Sequence, residues 1–454
     1  MTTTDSGSTA RDGRQRSGPR FWLRTTGAPV VVLALLTTLL GIMYLDYVID
    51  PEKNLHHFPI ALVNQDVGDA LGPQGQQVTF GNQVAAGLRE AVPADQIDLR
   101  ELGIAEAERQ MRSGEVYGAI VIPGDFTKRL GILGVASVVA GQVEQPIITL
   151  QTNPRTGAFA TSIVSRIGAQ VFPRVNQQVG AQLTDQVKSQ LAATPAGAPA
   201  PEISGAAAVT LASPLHLVVE EFHPLPSGTG QGLTAFFYAL LLLLVGVVGS
   251  MTIHTMVDAG LGFVPTEYGP WYVHYPPTPI SRFTTLLVKW GVMAVVAALV
   301  SGIYVLVAHT LGMPLEEPLA LYLYGAFAIL AVGVTGLSIL AAIGSAGLLV
   351  NLILFIILGL PSSGGTVPIE ATPRYFGWLS NFEPMHQVFL GIRSILYFDA
   401  QLEAGLARAA WMTLLGLCLG LILGATVSRY YDHKGLTRRT NSPTTPPPGT
   451  IPPG

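Results

Sequence analysis

Charged residues are scarce in this chain. Asp, Glu, Lys and Arg make up 12% of its 454 residues, whereas a typical soluble domain has roughly 25%. Hydrophobic residues account for 49%, and the formal net charge is only −4. A protein that binds nucleic acid usually carries basic patches, so this charge balance argues against that class. The composition therefore indicates a membrane protein.

Cysteine is nearly absent as well. The only one, Cys418, lies inside an apolar run. A single cysteine excludes an intramolecular disulfide and a site built from several thiolates. We interpret Cys418 as a packing residue.

Motifs that carry chemistry are missing too. No G-x-x-x-x-G-K-[ST] phosphate loop occurs, so an ATP-driven process would need a separate ATP-binding subunit. His56 and His57 are adjacent and would point to opposite faces of a strand, with no third metal ligand at a recognisable spacing. His254 and Asp258 are four residues apart, a spacing that favours packing or a helix-end interaction over metal binding. We therefore expect a chain that is not an enzyme and holds no cofactor or metal of its own.

Long apolar runs are abundant. A helix needs about 20 apolar residues to cross the roughly 30 Å hydrocarbon core of a bilayer. Six segments are candidates, the fifth being short. They cover residues 28–45, 233–253, 283–308, 319–343, 347–360 and 406–427. The first has the arginine-rich flank of a signal peptide but no small-x-small cleavage site, so we expect an uncleaved anchor, a transmembrane helix over 28–48.

Basic residues predict the orientation of these helices, because Lys and Arg concentrate in cytoplasmic flanks. They cluster before the first span, at the start of the third and after the sixth. These residues are Arg11, Arg14, Arg16, Arg20, Arg24, Arg282, Lys289, Arg429, Lys434, Arg438 and Arg439. Glu316 and Glu317 lie between the third and fourth spans, on the opposite side. We predict a multi-pass protein with both termini in the cytoplasm, a basic tail over 1–27, a cytoplasmic loop over 254–282 and a disordered, proline-rich tail over 429–454.

The segment between the first two spans predicts a folded extracytoplasmic domain over 49–230. "FPIALVN", "YGAIVIP" and "QPIITLQT" have the composition of strands, and "GNQVAAGLREAV" and "ELGIAEAERQMRS" have helical spacing. Alternation of strands and helices is typical of a small α/β sheet. A long helical stretch follows, and we expect Pro173 to interrupt and kink it. The predicted fold class is a polytopic α-helical membrane protein of six transmembrane helices, one plus five, with this α/β domain inserted after the first.

The five remaining spans form the predicted permease domain, 231–428. Its most unusual segment begins at "LPSSGGTVPIEATPRYF", where an apolar run meets prolines and glycines. Non-helical backbone at membrane depth is tolerated only where protein or a water-filled cavity covers it. We predict a re-entrant extracytoplasmic hairpin over 361–404, containing an amphipathic helix that starts near Glu383 with Pro384 in its first turn. The alternative is a loosely packed outer loop with an interfacial helix and no transport role.

These segments resemble the membrane subunits of ABC type-2 exporters, and within them the phage-infection-protein (YhgE/Pip) branch. The resemblance rests on the one-plus-five layout, on "IALVNQDVG", "GAIVIPGDF" and "ITLQTN" in the ectodomain, on "PPTPISRFTTLLVKW", and on "PSSGGTVPIEATPRYFGWLSNFEPMHQVFLGIRSILYF". It implies a coupling segment at Pro279, Arg282 and Lys289. It implies an outer hairpin whose marked residues are Pro361, Gly364, Gly365, Pro368, Pro373, Pro384 and Arg393. One departure is that "VDAGLGFVPTEYGPWYVHYPP" is not the acidic, helical coupling element common in such permeases.

The resemblance implies a permease subunit in a bacterial plasma membrane. It would export a lipid-like, drug-like or polymeric substrate with a separate ATPase. We expect a homodimer, or a heterodimer with a similar permease, because six spans are too few to surround a wide path. The expected partners are thus the bilayer, an ATP-binding subunit and a second permease, with no nucleic acid. The alternative is a non-transporting scaffold or receptor, a secretion accessory or phage-infection-type protein that acts through its ectodomain.

Overall fold

The computed structural model describes residues 19–70, 77–136, 144–192, 205–273 and 275–436. Two compact units divide the chain after Asn54. The first contains helix α1, Pro19–Val48, whose 30 residues correspond to a length of about 45 Å. A short 3-10 helix, Pro51–Asn54, follows it, and the second unit contains the strands and the remaining α-helices. The predicted disordered tail lies mostly outside the described residues.

The sheet of the second unit has five strands. They are β1 (Phe58–Asn64), β2 (Ile97–Glu101), β3 (Gly118–Ile122), β4 (Ile147–Thr152) and β5 (His216–Glu221). Their order in the sheet is β2-β1-β3-β4-β5, and only the β3–β4 pairing is antiparallel. In register, Phe58 lies opposite Ile97 and Ile120 lies opposite Leu150. A mostly parallel sheet needs helices on its faces, and the sequence supplies them between the strands.

Helices cover both faces of the sheet. They are α2 (Phe80–Ala91), α3 (Ile104–Ser113), α4 (Phe126–Ala136), α5 (Ala158–Ala192) and α6 (Gly205–Ala212). On one face, Met111 of α3 packs with Ala61 and Val63 of β1. On the other, α5 packs on β4 so closely that a Cβ at Gly168 would lie 2.4 Å from the side chain of Leu150. Strand β1 is buried on both sides, which explains its unbroken apolar sequence.

One carboxylate fastens two of these helices to the end of β1. Asp66 accepts hydrogen bonds from the backbone N–H groups of Gly81, at the start of α2, and Thr127, at the start of α4, at 2.9 and 3.0 Å. The first N–H groups of a helix have no partner within the helix, so an acceptor there stabilises it. The Asn-x-Asp sequence after β1 therefore caps two helices.

Sequence patterns missed two strands and misjudged one proline. β2 ("IDLRE") has a single fully buried residue, and β5 ("HLVVEE") is largely exposed, so neither has an apolar run. Pro173, which we expected to interrupt the long helix, lies inside the continuous α5. An internal proline costs about 3 kcal/mol. Burial of Val171 and Val175 on either side offsets it, at about 1.5–3 kcal/mol per side chain.

The rest of the second unit is a helical bundle. Its long helices are α7 (Leu233–Gly260), α8 (Arg282–Thr310), α9 (Pro318–Ile343) and α14 (Ala407–His433). Helix α9 is central and packs against the other three. In its most apolar stretch 61% of residues are buried, against 22% in α8 and 17% in the segment of α14. The outer sides of α8 and α14 are therefore the apolar surfaces available to lipid.

Four helices in the described ranges are long and apolar enough to cross a membrane: Gly230–Gly260, Arg282–Thr310, Pro318–Ile343 and Leu402–His433. Two shorter apolar helices, Val30–Asp46 and Ala346–Ser362, accompany them. The chain is thus predominantly helical and has the character of a membrane protein. Helix α7 continues to Gly260, past residue 254 where the predicted loop begins. After it, a small hairpin pairs β6 (Thr266–Tyr268) with β7 (Trp271–Val273).

The second short apolar helix is irregular. It begins as α10 (Ala346–Leu352), widens into a π-helical turn over Ile353–Ile357 and ends as α11 (Gly359–Ser362). Helices α12 (Arg374–Leu379) and α13 (Pro384–Tyr397) follow. π-turns within helices are often found at functional sites. The helix ends one residue after Pro361, so the predicted break is present.

Candidate functional site

Two regions carry the residues singled out from the sequence: the start of α8, and the segment between α11 and α13. At the first, Ser281 caps α8 by accepting a hydrogen bond from the N–H of Thr284 at 3.0 Å. The N–H groups of Arg282 and Phe283 donate to the two carboxylate oxygens of Asp432 on α14, at 2.8 and 3.0 Å. Arg282 Nε also donates to the carbonyl oxygen of Leu436 at 2.7 Å. The start of α8 is therefore clamped to the end of α14.

Lys289 lies deeper in the bundle and has different partners. Its side chain is 2% exposed, and Nζ lies 2.7 Å from Asp258 Oδ1 and 3.1 Å from His254 Nδ1. Asp258 is 4% exposed and also pairs with His254 Nε2 at 3.4 Å. A buried ammonium group is strongly destabilising unless it is paired, and this carboxylate supplies the pair. The three side chains join α7 to α8.

The predicted coupling residues therefore do not form one site. Pro279 is exposed in the loop before α8, Arg282 belongs to the clamp with α14, and Lys289 belongs to the pair with α7. The sequence signal for the pair was present, because a lysine in an apolar span requires an acidic partner. Within the described ranges no group of three or more His, Cys, Asp or Glu side chains is placed to hold a metal ion.

The outer hairpin, 361–404, is closely packed in its first part. Pro361, Pro368 and Pro373 are buried. Gly364 has φ +69°, a conformation that glycine adopts without strain. A Cβ at Gly365 would lie 2.2 Å from Phe236 Cδ2 of α7, so only glycine allows this approach. This burial does not fit the loosely packed loop considered as the alternative.

Helix α13 begins at Pro384, as the sequence predicted, and Glu383 caps it by accepting the N–H of His386 at 3.0 Å. His386 Nδ1 lies 2.8 Å from the carbonyl oxygen of Ser363, which fixes α13 to the end of α11. Burial raises the pKa of Glu383 to about 8 and lowers the pKa of His386 to about 4. Both side chains are therefore held neutral near pH 7.

The apolar face of α13 contacts the bundle. Met385, Val388, Phe389, Ile392 and Ile395 are buried in its core, and Leu396 packs at the edge. The spacing in the sequence predicted this stripe. Pro384 thus begins the helix. Arg393 lies on another side of it, toward the sheet β1–β5 and its helices α2–α6, which we call the sheet domain.

A cavity of about 260 Å³ lies between α9, the π-helical turn, α13 and α14. Its lining is almost wholly apolar and includes Leu354, Phe355 and Leu415. Gln387 is the most polar side chain in it. Its Nε2 donates to the carbonyl oxygen of Ser380 at 2.8 Å, and its buried Oε1 has no partner among the described residues. The cavity suits an apolar molecule that offers one hydrogen-bond donor.

The sheet domain rests on the hairpin. The N–H of His56 donates to the carbonyl oxygen of Glu370 at 2.8 Å, and the hydroxyl of Tyr117 donates to Glu370 Oε2 at 2.7 Å. Arg155 donates to the carbonyl oxygen of Tyr397 at 2.8 Å. Sequence patterns did not point to Tyr117 or Glu370, since each is an isolated polar residue in a loop or at a strand edge.

The family model of the ABC-2 family transporter proteins matches residues 19–426. The chain belongs to this family and is a membrane protein of the ABC-2 type. No curated protein and no solved structure is significantly similar to it.

Proposed function

We propose that this chain is the membrane-spanning permease subunit of an ABC-2-type exporter, in which a separate ATPase drives the outward movement of its substrate. The match to the ABC-2 family over residues 19–426 supports the class. The apolar cavity beneath the outer hairpin indicates the class of substrate. Because its lining is apolar except for a few groups such as Gln387, it favours a lipid-like or drug-like substrate over a polymer.

The proposed topology has six spans: α1, the four long helices and the α10–α11 helix. Both termini and the β6–β7 hairpin then lie in the cytoplasm of a bacterium, and the sheet domain and outer hairpin lie outside its plasma membrane. The basic flanks of the spans support this orientation. We assign the chain to the phage-infection-protein (YhgE/Pip) branch on the motifs quoted above.

Cysteine labelling tests the orientation. Ser363 and Gly365 are buried and unsuitable as reporters, whereas Trp378 and Trp271 are 68% and 72% exposed. In a Cys418→Ser background, a membrane-impermeant maleimide added to intact cells should label Trp378→Cys and leave Trp271→Cys unlabelled until the cells are opened. The reverse pattern would invert the topology.

The chain itself is proposed to be neither an enzyme nor a cofactor-binding protein, with ATP held by a partner subunit. The exposed apolar sides of α8 and α14 offer room for a second permease chain, identical or similar. Two copies would enclose a wider path than one.

Transport is tested with inside-out vesicles from cells that express the full chain. A phospholipid labelled with a nitrobenzoxadiazole dye on one acyl chain should become protected from external dithionite when ATP is added. Leu415→Trp should reduce the rate to background, because the indole fills the cavity that Leu415 lines. Leu414→Trp is the matched control, since Leu414 is similarly exposed on the same helix. Protection without ATP, or equal rates in the two variants, would contradict the proposal.

One observation favours a second candidate, the non-transporting scaffold or receptor. The segment after α7 forms the β6–β7 hairpin, with Tyr268, Trp271 and Tyr272 exposed, where ABC-type coupling would call for an acidic helix. Affinity purification of the full chain under stringent washing separates the two candidates. A nucleotide-binding subunit in near-equal amount supports the exporter, and its absence together with ATP-independent protection supports the scaffold.

A further inference from the structure

A second cavity lies at the junction of the sheet domain and the outer hairpin. Its volume is about 300 Å³, and its lining is more polar than apolar. The sheet domain contributes Tyr117 and the Gly114–Glu115 turn, and the hairpin contributes Glu370, Arg393 and other groups. We call it the junction cavity. It is separate from the apolar cavity beneath the hairpin, with which it shares no lining residue.

Arg393 is the unusual group in the junction cavity. Its guanidinium carbon lies 5.5 Å from the ring centre of Phe389 and 5.6 Å from that of Phe398. Its Nε is buried and has no hydrogen-bond partner in the described part of the chain. A guanidinium group has five N–H donors, and buried donors are almost always bonded. The aromatic rings stabilise its charge but accept no strong hydrogen bond.

The sheet domain closes over this arginine. Gly114, in a left-handed conformation after α3, lies so close that a Cβ there would be 3.1 Å from Phe398 and 3.6 Å from Arg393 Nη2. Burial lowers the pKa of Arg393, whereas the nearby Tyr117 and Glu370 act in the opposite direction. The charge is thus held in a shielded place where an additional anion would be attracted strongly.

Four charged side chains line the cavity: Glu115, Glu370, Arg393 and Arg408. Glu370 accepts the hydrogen bond of Tyr117, and Glu115 is bonded at 3.1 Å to Arg109, which also pairs with Glu106 at 2.7 Å. Arg408 donates to Asn381 Oδ1 at 3.0 Å. The two arginines and two glutamates give the lining no formal net charge, so a bound anion would rely on the local donors of Arg393 and not on an excess of positive charge.

We propose that the junction cavity binds one phosphate group, either of a phospholipid head group or of a free phosphate, between Arg393 and Arg408. Guanidinium groups bind phosphate through paired hydrogen bonds, and the unpartnered Nε of Arg393 provides one of the donors. The Nη groups of the two arginines are the donors for the remaining phosphate oxygens. The site joins the sheet domain to the hairpin and does not depend on which substrate the chain exports.

The experiment uses the full chain in dodecyl maltoside micelles, which contain no phosphate, and follows thermal unfolding by tryptophan fluorescence. Two probes distinguish the sources: inorganic phosphate in the buffer, against chloride at equal ionic strength, and phosphatidylglycerol added to the micelles. We expect at least one probe to raise the unfolding temperature in a saturable manner. A response to phosphate identifies a free anion, and a response only to phosphatidylglycerol identifies a lipid.

Two variants locate the binding. Arg393→Gln should raise the half-saturating concentration of the probe by about tenfold, because one charge-assisted pair of hydrogen bonds is lost. Arg374→Gln is the matched control, because Arg374 is an exposed arginine of the same hairpin that does not line the cavity, and it should respond like the original protein. If neither probe stabilises the original protein, or if Arg393→Gln keeps its affinity, the proposal is wrong.

Arg408→Gln covers the case in which Arg393→Gln does not fold. Arg408 is exposed and bonded only to Asn381 among the described side chains, so its loss should leave the fold intact. It should weaken binding by a smaller factor, about threefold, since this cation is more open to solvent. Unchanged affinity in Arg408→Gln would overturn the proposal, because the phosphate is assigned a place between the two arginines.

Discussion

The sheet domain and the membrane bundle differ in how fully their buried polar groups are hydrogen-bonded. In the sheet domain, Asp66 accepts from two helix starts, and Asn176 joins α5 to the beginning of β5 by donating to Ser213 and accepting from Leu215 N. Asn153 donates to the carbonyl oxygen of Met111 at 2.7 Å. These polar side chains hold secondary structure together.

In the bundle and hairpin, several buried polar atoms lack partners within the described residues. They are Tyr238 OH, Trp290 Nε1, Asn351 Oδ1, Glu383 Oε1, Gln387 Oε1 and Arg393 Nε, whereas the sheet domain has only Asn153 Oδ1. Three of them belong to α13 or its cap. Unpartnered buried groups are costly, so where they gather they indicate bound molecules rather than scaffold. The comparison supports the proposed binding at the hairpin and indicates a structural role for the polar groups of the sheet domain.

The largest effect is expected at Lys289 and Asp258, two buried charges of the bundle that are paired with each other. Lys289→Met should destabilise the protein by about 3–5 kcal/mol, because it leaves Asp258 buried without its cation. Thermal unfolding of the purified chain in detergent measures the loss. Lys289→Met combined with Asp258→Leu should recover most of it, and Asp125→Asn at the exposed pair with Arg129 should leave the melting temperature almost unchanged. A single variant as stable as the original would show that the pair is not buried.

A glycine tests the packing of the hairpin on α7. Gly365→Ala should cost about 3 kcal/mol, at the upper end for overpacking, because the new methyl group meets the Phe236 ring. Phe236→Leu in the same chain should relieve the strain. Gly377→Ala is the control, since its Cβ would lie 3.6 Å from the nearest atom. Equal melting temperatures for the two alanine variants would mean that the hairpin is loose.

The double cap tests the sheet domain. Asp66→Ala should destabilise it by about 2 kcal/mol, the sum of two helix caps at about 1 kcal/mol each. Limited proteolysis of the full chain should then cleave the sheet domain faster. Asp95→Ala, at an exposed position, should leave the cleavage rate unchanged. Equally fast cleavage of Asp95→Ala would contradict the claim that Asp66 in particular stabilises the sheet domain.

The smallest effect is a pH dependence. Because the folded pKa of Glu383 is about 8 against 4.5 for the free side chain, the folded state binds more protons and stability falls as pH rises toward 8. His386, with a folded pKa of about 4 against 6.5, acts in the opposite direction below pH 6.5. Of these two groups, Glu383 is the one that titrates between pH 6.5 and 8, so Glu383→Gln should reduce the fall of the melting temperature over that range. Glu403→Gln, at an exposed site, should keep the slope.

The sequence predicted elements that local chemistry determines. Pro384 at a first helical turn and apolar residues spaced three and four apart were enough to place α13 and its buried face. β5 could not be predicted, because its residues are mostly exposed and its pairing with β4 depends on a chain segment about 70 residues away. Tertiary packing likewise kept α5 continuous through Pro173.

For the candidate site, the sequence located segments but not contacts. Arg282 and Lys289 are seven residues apart, yet they hold different helices, a distinction that depends on where α7 and α14 pack. Arg393 was identified as a hairpin residue, but its cavity is completed by Tyr117 and Gly114 of the sheet domain. Such long-range juxtapositions leave no periodic pattern in one sequence.

The clamp between Asp432 and the start of α8 also bears on synthesis. Asp432 follows Arg282 by 150 residues, and at a synthesis rate of 5–20 residues per second it emerges roughly 8–30 s later. During that interval the hydroxyl of Ser281, bonded to Thr284 N, is the local cap that can hold the new helix end. Ser281 thus caps the start of α8 during synthesis, and Asp432 accepts the remaining N–H groups only after the final span has been made.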